Sequence, residues 1–197
     1  MTGIFIVLEG IDGAGKSSLC ERLGEALSSE GRKVCVTQEP THDEIGAFIR
    51  RAQVKGISQA AEALLFVADR AVHTERICKM LEDGTDVICD RYFASTVAYQ
   101  SAHLYGCALD ADWLLEVNRP IVREPDVTFL LDVDPEKGME RVGSRGARSK
   151  FEDAGYLKEV RATYLELAKK FSFVTVDASK GRDEVFFEAI RKIKEMI

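Results

Sequence analysis

The chain has 197 residues, of which 46% are hydrophobic and 30% charged, and its formal net charge at pH 7 is −6. The length suits one domain spanning residues 1–197, and the composition excludes a disordered or fibrous protein. The negative charge argues against a nucleic acid polymer as partner, since such proteins usually need a basic surface. No apolar run approaches the roughly 20 residues of a membrane span, so we expect no membrane partner and a cytoplasmic location.

Short apolar runs rich in β-formers alternate with longer segments of helical periodicity. In chain order the pattern predicts strand 4–8, helix 17–30, strand 34–37, helix 58–83, strand 87–89, helix 92–102, strand 127–132, helix 135–141, helix 156–170, strand 173–176 and helix 183–196. This alternation predicts an α/β fold, with a parallel sheet covered by helices on both faces. Residues 143–150 hold two glycines and several polar or basic residues, which indicates a mobile loop.

A phosphate-binding loop is predicted between the first strand and the first helix. Residues 10–17 match the pattern G-x-x-x-x-G-K-[ST], in which backbone amides and the helix N-terminus bind phosphate. Lys16 would neutralise phosphate charge, and Ser17 would ligate the Mg²⁺ cofactor. The predicted ATP-binding residues here are Gly10, Ile11, Asp12, Gly13, Ala14, Gly15, Lys16, Ser17 and Ser18.

Asp12 is an unusual member of this loop, because phosphate would repel its carboxylate. We expect it to face another ligand, either a sugar hydroxyl or a water bound to Mg²⁺. A turn aspartate that faces solvent is the alternative.

The segment after the third predicted strand carries a second set of polar side chains. Asp90 ends that strand, a position that favours a role near Mg²⁺. At helical spacing, one face of the predicted helix carries Arg91, Ser95 and Tyr99. Two further polar residues, Thr96 and Gln100, lie beside them on that face. Because ligands of open α/β sheets bind at the carboxyl ends of strands, this face predicts the wall of a binding pocket. A solvated helix face is the alternative.

Phe66 and Arg70 lie one turn apart on the long helix predicted at 58–83. Phe66 could stack on a nucleobase while Arg70 donates to an exocyclic oxygen of the base. The alternative is that Phe66 is a core residue and that Arg70 buries its aliphatic stem beside it, which explains the same spacing.

Together these motifs resemble the thymidylate kinase family over nearly the whole chain. The residues that carry the resemblance are the run 9–17, the run 65–70, Asp90-Arg91-Tyr92 followed by Ser95, Ala98, Tyr99 and Gln100, and the run 164–168. The resemblance implies a P-loop kinase fold with a five-stranded parallel sheet of order 2-3-1-4-5, usually a homodimer. It also implies transfer of the γ-phosphoryl group of ATP to dTMP, giving dTDP and ADP for dTTP synthesis.

The resemblance further implies a role for each residue of the two nucleotide sites. Phe66 would stack on thymine, Arg70 would bond to the base, Arg91 would hold the dTMP phosphate and Asp12 would approach the 3′-hydroxyl. Arg141 would lie against adenine. The base and deoxyribose would be lined by Ser95, Thr96, Tyr99 and Gln100.

The chain departs from the family pattern in two places. The family commonly has Arg-Glu-Pro after the second strand, where this chain has Gln38-Glu39-Pro40, so the role of that arginine does not carry over. Some relatives have an arginine inside the phosphate loop, where this chain has Ala14. By resemblance Arg145 and Arg148 would take over its charge-stabilising role from a basic lid at about residues 143–151, although a basic surface loop explains them as well.

Two alternative functions use the same phosphate loop. A deoxynucleoside kinase would phosphorylate a hydroxyl group and would need a carboxylate base, which Asp12 or Asp90 could provide. A nucleotide switch or energy-coupling NTPase would need no acceptor. The sequence contains neither the Asn-Lys-x-Asp nor the Leu-Ser-Gly-Gly motif of such proteins.

Overall fold

The computed structural model describes residues 2–103, 108–143 and 154–197. Strands and helices alternate along most of this chain, as the sequence predicts. The elements are β1 (Phe5–Glu9), α1 (Lys16–Ser29), β2 (Val34–Gln38), α2 (Glu44–Lys55), α3 (Gln59–Glu82), β3 (Asp86–Asp90), α4 (Phe93–Ser101), α5 (Ala111–Asn118), β4 (Val127–Asp132), α6 (Pro135–Gly143), α7 (Ala154–Lys170), β5 (Val174–Asp177) and α8 (Arg182–Lys194).

The five strands form one parallel sheet in the order β2-β3-β1-β4-β5, which confirms the predicted fold. In the register of the sheet, Leu8 of β1 pairs with Asp90, and Gln38 of β2 pairs with the same residue from the other side. The carboxyl ends of β1, β2 and β3 therefore meet at one edge. This is the edge at which parallel α/β sheets bind ligands.

The central strand β1 is buried along its whole length. Phe5 and Val7 belong to one hydrophobic cluster, whereas Ile6 and Leu8 belong to a second, larger cluster. Successive side chains of a strand point to opposite faces, so apolar packing covers both faces of the sheet. This explains why β1 reads as a continuous apolar run and not as an alternating one.

Two helices, α2 and α5, are not predicted from the sequence. In α2 the apolar positions are partly hidden by Gly46 and by two consecutive arginines, and only part of the helix is buried. α5 has eight residues, and the side chain of Asp110 caps it by accepting a hydrogen bond from the backbone N–H of Trp113 (2.7 Å). This cap is a sequence feature that predicts a helix start.

The described part of the chain has no helix that is both long and apolar enough to cross a membrane.

Candidate functional site

The phosphate loop connects β1 to α1 as predicted. Gly15 precedes α1 with a positive φ of 95°, and no side chain caps the helix. The first amides of α1 are thus left for an anion. Nζ of Lys16, which is 6% exposed, donates to the carbonyl oxygen of Ile11 at 2.9 Å. Burial, and next the positive charge of Arg91, lower the pKa of Lys16 to about 8, although nearby carboxylates oppose the shift.

Helix α6 touches the phosphate loop directly through two glycines. A Cβ atom placed on Gly13, whose φ is +80°, would lie 2.1 Å from the carbonyl oxygen of Gly138. A Cβ atom on Gly138 would lie 2.8 Å from the carbonyl oxygen of Asp12. Both separations are too short for real atoms, so the loop and α6 meet backbone to backbone.

Ser17 and Asp90 form the candidate metal site. Oγ of Ser17 donates to Oδ2 of Asp90 at 2.5 Å, while the buried Oδ1 of Asp90 has no hydrogen-bond partner among the described residues. A buried carboxylate oxygen without a partner is unfavourable unless a further group satisfies it. Mg²⁺ is held typically by one or two protein oxygens together with waters and phosphates. Ser17 and Asp90 therefore fit that ion.

A cavity of about 460 Å³ lies beside the phosphate loop. Arg141 spans it, because its Nη1 donates to the carbonyl oxygens of Gly13 (3.2 Å) and Ala178 (3.1 Å). The predicted residues that line this cavity are Asp12, Gly13, Ala14, Gly15, Lys16, Ser17, Ser18 and Arg141. The predicted Gly10 and Ile11 instead lie at the start of the loop, where their carbonyl oxygens accept from Arg91 and Lys16.

Seven other lining residues of this cavity are not predicted from the sequence: Leu19, Arg22, Val142, Ala178, Lys180, Arg182 and Val185. Four of them, from Ala178 to Val185, lie near the junction of β5 and α8. The prediction of a strand followed by a helix at that point could have indicated them, because the carboxyl end of β5 lies at the same sheet edge.

A second cavity, of about 540 Å³, opens on the other side of Asp12. It is lined by all eight residues predicted for the acceptor site: Asp12, Phe66, Arg70, Arg91, Ser95, Thr96, Tyr99 and Gln100. Since Asp12 lines both cavities, the cavities adjoin each other at the phosphate loop. A phosphoryl donor bound in one cavity would therefore lie next to a phosphoryl acceptor bound in the other.

Five lining residues of the acceptor cavity were not predicted: Glu39, Pro40, Arg50, Gln53 and Tyr92. Glu39 and Pro40 directly follow β2, so the carboxyl-edge rule could have indicated them. Arg50 and Gln53 belong to the missed helix α2. Gln38, by contrast, lines a separate small cavity together with Ser17 and Asp90.

Arg91 connects the phosphate loop to the acceptor cavity. Its φ of 71° is rare for a residue with a side chain, and it turns the chain sharply from β3 into α4. Its guanidinium donates to Oδ1 of Asp12 at 2.5 Å and to Oγ of Ser95 at 3.0 Å, and it lies 5.0 Å from the ring centre of Tyr99. Burial alone would raise the pKa of Asp12, but the charges of Arg91 and Lys16 hold it below its ordinary value.

Arg70 is 1% exposed, and four of its five N–H groups donate to the cavity wall. Nε donates to Glu39 at 2.8 Å, Nη1 to Asn118 at 2.6 Å and Nη2 to Thr96 at 3.0 Å. The other carboxylate oxygen of Glu39 lies 3.0 Å from Nδ1 of His73. Phe66, one turn earlier on α3, is half-buried and faces the same cavity.

Arg145 and Arg148 lie outside the residues that the structure describes, as does most of the predicted lid. α6 ends at Gly143 and α7 begins at Ala154, so the lid remains a prediction.

The parallel sheet of order 2-3-1-4-5 and the glycine loop at its edge define a P-loop kinase fold. The family model for thymidylate kinase matches residues 8–189. The chain is 45% identical to a probable thymidylate kinase of Thermococcus kodakarensis, with 98% of each chain covered. It is 42% identical to that of Archaeoglobus fulgidus (98% and 95% covered) and 38% identical to the thymidylate kinase of Halothermothrix orenii (98% of each). The chain belongs to the thymidylate kinase family.

Proposed function

We propose that this protein transfers the γ-phosphoryl group of ATP to dTMP, giving ADP and dTDP for dTTP synthesis, through one catalytic domain of residues 1–197. The observation that carries the proposal is the acceptor cavity, which brings together an aromatic ring, a guanidinium and a row of polar side chains next to the phosphate loop. Family membership favours a monophosphate acceptor over the hydroxyl acceptor and the switch function considered above.

The chemistry requires positioning and charge neutralisation more than base catalysis, because a phosphate oxygen is already a nucleophile. Lys16 and the amides of the loop bind the phosphates of ATP, and Arg141 lies against its base. Arg91 holds the phosphate of dTMP in line with the γ-phosphoryl group. Ser17 and Asp90 would hold Mg²⁺, which when bound neutralises part of the charge on the β- and γ-phosphates.

The base of dTMP occupies the deeper part of the acceptor cavity in this proposal. Phe66 stacks on thymine, and Arg70 bonds to the base through the second N–H of Nη1, since its other N–H groups donate within the cavity wall. Ser95, Thr96, Tyr99 and Gln100 line the base and sugar, and Asp12, which accepts a hydrogen bond from Arg91, approaches the 3′-hydroxyl of the sugar.

A panel assay tests the acceptor. ADP release is measured with purified protein, ATP and Mg²⁺, either alone or with dTMP, dUMP, dCMP, dAMP or thymidine. We expect release to depend on a monophosphate and to be fastest with dTMP. Release that is equal without an acceptor would indicate an NTPase, and a preference for thymidine over dTMP would indicate a nucleoside kinase.

Arg145 and Arg148 are proposed to stabilise the charge on the transferred phosphoryl group when the lid closes. This role rests on the sequence, since Ala14 leaves the phosphate loop without an arginine of its own. Replacing both by alanine should lower kcat by about 10²- to 10⁵-fold, with little change in the KM for dTMP, because the contacts form only in the reacting state. If the double variant retains most of the wild-type kcat at saturating substrate, these residues form only a basic surface loop and have no catalytic role.

A homodimer is also proposed. Phe48 on α2 and Leu64 and Val72 on α3 are 49%, 48% and 46% exposed, and α2 packs against α3, so the three supply apolar surface on adjoining helices. Sedimentation of a Leu64→Glu, Val72→Glu variant should show monomers. The matched control is Phe187→Glu, which changes an apolar residue of α8 that is 64% exposed. If the Leu64→Glu, Val72→Glu variant remains dimeric like the control, the interface lies elsewhere. The cytoplasmic location stays a prediction.

A further inference from the structure

The buried carboxylate of Glu9 has no role in the mechanism described so far. Glu9 is the last residue of β1 and is 0% exposed, directly before the phosphate loop. Burying a carboxylate is costly unless several donors satisfy it. Burial accordingly raises the pKa of Glu9, while bonds from Ser95 and the charge of Arg91 act against this rise. A position that bears such a cost invites a functional explanation.

Four donors surround this carboxylate, two on each oxygen. Oε1 accepts from the backbone N–H groups of Tyr92 (2.9 Å) and Ser95 (3.2 Å). Oε2 accepts from the hydroxyl groups of Ser95 (2.5 Å) and Tyr164 (3.1 Å). Glu9 thereby joins the start of α4 to the middle of α7, immediately below the turn that carries Arg91.

The same two hydroxyl groups also contact Arg91. Nη1 of Arg91 lies 3.0 Å from Oγ of Ser95 and 3.3 Å from the hydroxyl oxygen of Tyr164. A guanidinium can only donate, so each hydroxyl must offer it an oxygen lone pair. An ionised carboxylate can only accept, so Glu9 attracts the proton of Ser95 and leaves the Ser95 oxygen free to accept. The hydroxyl oxygens of Ser95 and Tyr164 also lie 2.7 Å apart. The single proton of Tyr164 therefore points either to Glu9 or to Ser95, and in both cases the Tyr164 oxygen turns a lone pair toward Arg91.

We infer that Glu9 is a positioning residue for the acceptor phosphate: it orients the hydroxyl groups of Ser95 and Tyr164, and these hold the guanidinium of Arg91 toward the acceptor cavity. The inference rests on the proposed function, in which Arg91 binds the phosphate of dTMP. Asp12 and Tyr99 contact Nη2 of Arg91. Nη1 donates to the carbonyl oxygen of Gly10 at 3.2 Å as well as to the two hydroxyl groups, so Glu9 acts indirectly and on Nη1 alone.

Glu9→Gln tests the direction of these hydrogen bonds with almost no change in shape. The amide N–H groups would donate to at least one group that now donates to Glu9, so the protons of Ser95 and Tyr164 would no longer both be directed away from the guanidinium. Binding of dTMP and of thymidine, which lacks the phosphate, is measured by calorimetry. We expect the Kd for dTMP to rise about 10- to 100-fold, the range for a hydrogen bond to a charged group, while the Kd for thymidine changes less than about twofold.

A second variant protects the test against a folding defect. Tyr164→Phe keeps Glu9 but removes one of the two hydroxyls, so it should weaken dTMP binding in the same sense and by a smaller factor. Glu25→Gln makes the same chemical change at an exposed position of α1 and should leave both affinities unchanged. In an Arg91→Ala background, Glu9→Gln should add less than about twofold to the Kd for dTMP, since the two residues act together.

The outcomes separate this inference from the proposed function. If the wild-type protein neither binds nor phosphorylates dTMP, the proposed function fails. If the wild type is active but Glu9→Gln weakens dTMP and thymidine equally, Glu9 only supports the fold and the inference is overturned. It is equally overturned if Glu9→Gln binds dTMP like the wild type, because the ionised carboxylate is then not needed.

Discussion

The two arginines that line the acceptor cavity, Arg70 and Arg91, are held in different ways. The side chain of Arg70 is 1% exposed and pairs with an equally buried carboxylate, whereas that of Arg91 is 18% exposed and pairs with Asp12, which is 45% exposed. Arg70 belongs to the rigid wall, and Arg91 keeps part of its guanidinium open to the cavity. In the proposed function, the base end of the cavity, at Arg70, is therefore a fixed template, and the phosphate end, at Arg91, neutralises a charge that arrives with the substrate.

The largest effect expected at the base end is on stability. Arg70→Ala leaves the carboxylate of Glu39 buried without its main partner, so the free energy of unfolding should fall by about 3–5 kcal/mol. Denaturant unfolding with and without the added change Glu39→Gln checks this. The double variant should recover part of the loss, because no carboxylate is then left unpaired. No recovery would mean that the stability comes from packing of the arginine stem.

At the phosphate end the largest effect should be on catalysis. Lys16→Ala removes a fixed cation beside the γ-phosphate, and we expect kcat to fall about 10²- to 10³-fold. The Kd for thymidine should stay the same, since thymidine has no phosphate. Steady-state kinetics and calorimetry measure the two quantities. Near-normal turnover would contradict the assignment of the phosphate loop, and weaker thymidine binding would show that the two ends are not independent.

Phe66→Ala sharpens the difference between the two ends by a smaller amount. Loss of one base–aromatic stack should weaken dTMP and thymidine equally, by about 1–3 kcal/mol, and leave ATP affinity unchanged. Calorimetry with the three ligands decides. If ATP and dTMP affinities fall together, Phe66 is a core residue and the stacking role is wrong.

The smallest effect is a dependence on pH that only the phosphate end should show. The pKa of Lys16 is lowered to about 8 in the ligand-free protein, so the ammonium loses its proton as the pH rises through this value. ATP binds the charged form and raises that pKa again, so binding above pH 8 takes up a proton. The apparent affinity for ATP should then fall by up to about tenfold per pH unit.

Titrations at pH 8–9 in two buffers of different ionisation enthalpy measure the proton taken up with ATP. Thymidine binding over the same range is the control and should involve no proton uptake. If ATP binding is also free of proton uptake, Lys16 is already fully charged in the ligand-free protein.

The sequence predicts those parts of the site whose residues lie close together in the chain. The phosphate loop is a contiguous pattern made largely of backbone, and one helical period relates Ser95 to Tyr99, so both could be placed without coordinates. The contacts of Arg91 with Asp12 and of Arg70 with Asn118 join residues far apart in the chain, and no local pattern specifies them. The same applies to Arg50 and Gln53, which lie on a helix that the sequence analysis missed.

The direct contact between Gly13 and Gly138 determines how the protein tolerates mutation. Gly13 at least lies within the phosphate-loop pattern, although at one of its variable positions, whereas Gly138 belongs to no motif and lies inside a helix, where alanine is ordinarily the better residue. Because each of the two backbones occupies the space that the other's Cβ atom would need, a saturation library should be as intolerant at 138 as at 13. An engineer who stabilises helices by replacing glycine with alanine should therefore leave position 138 alone.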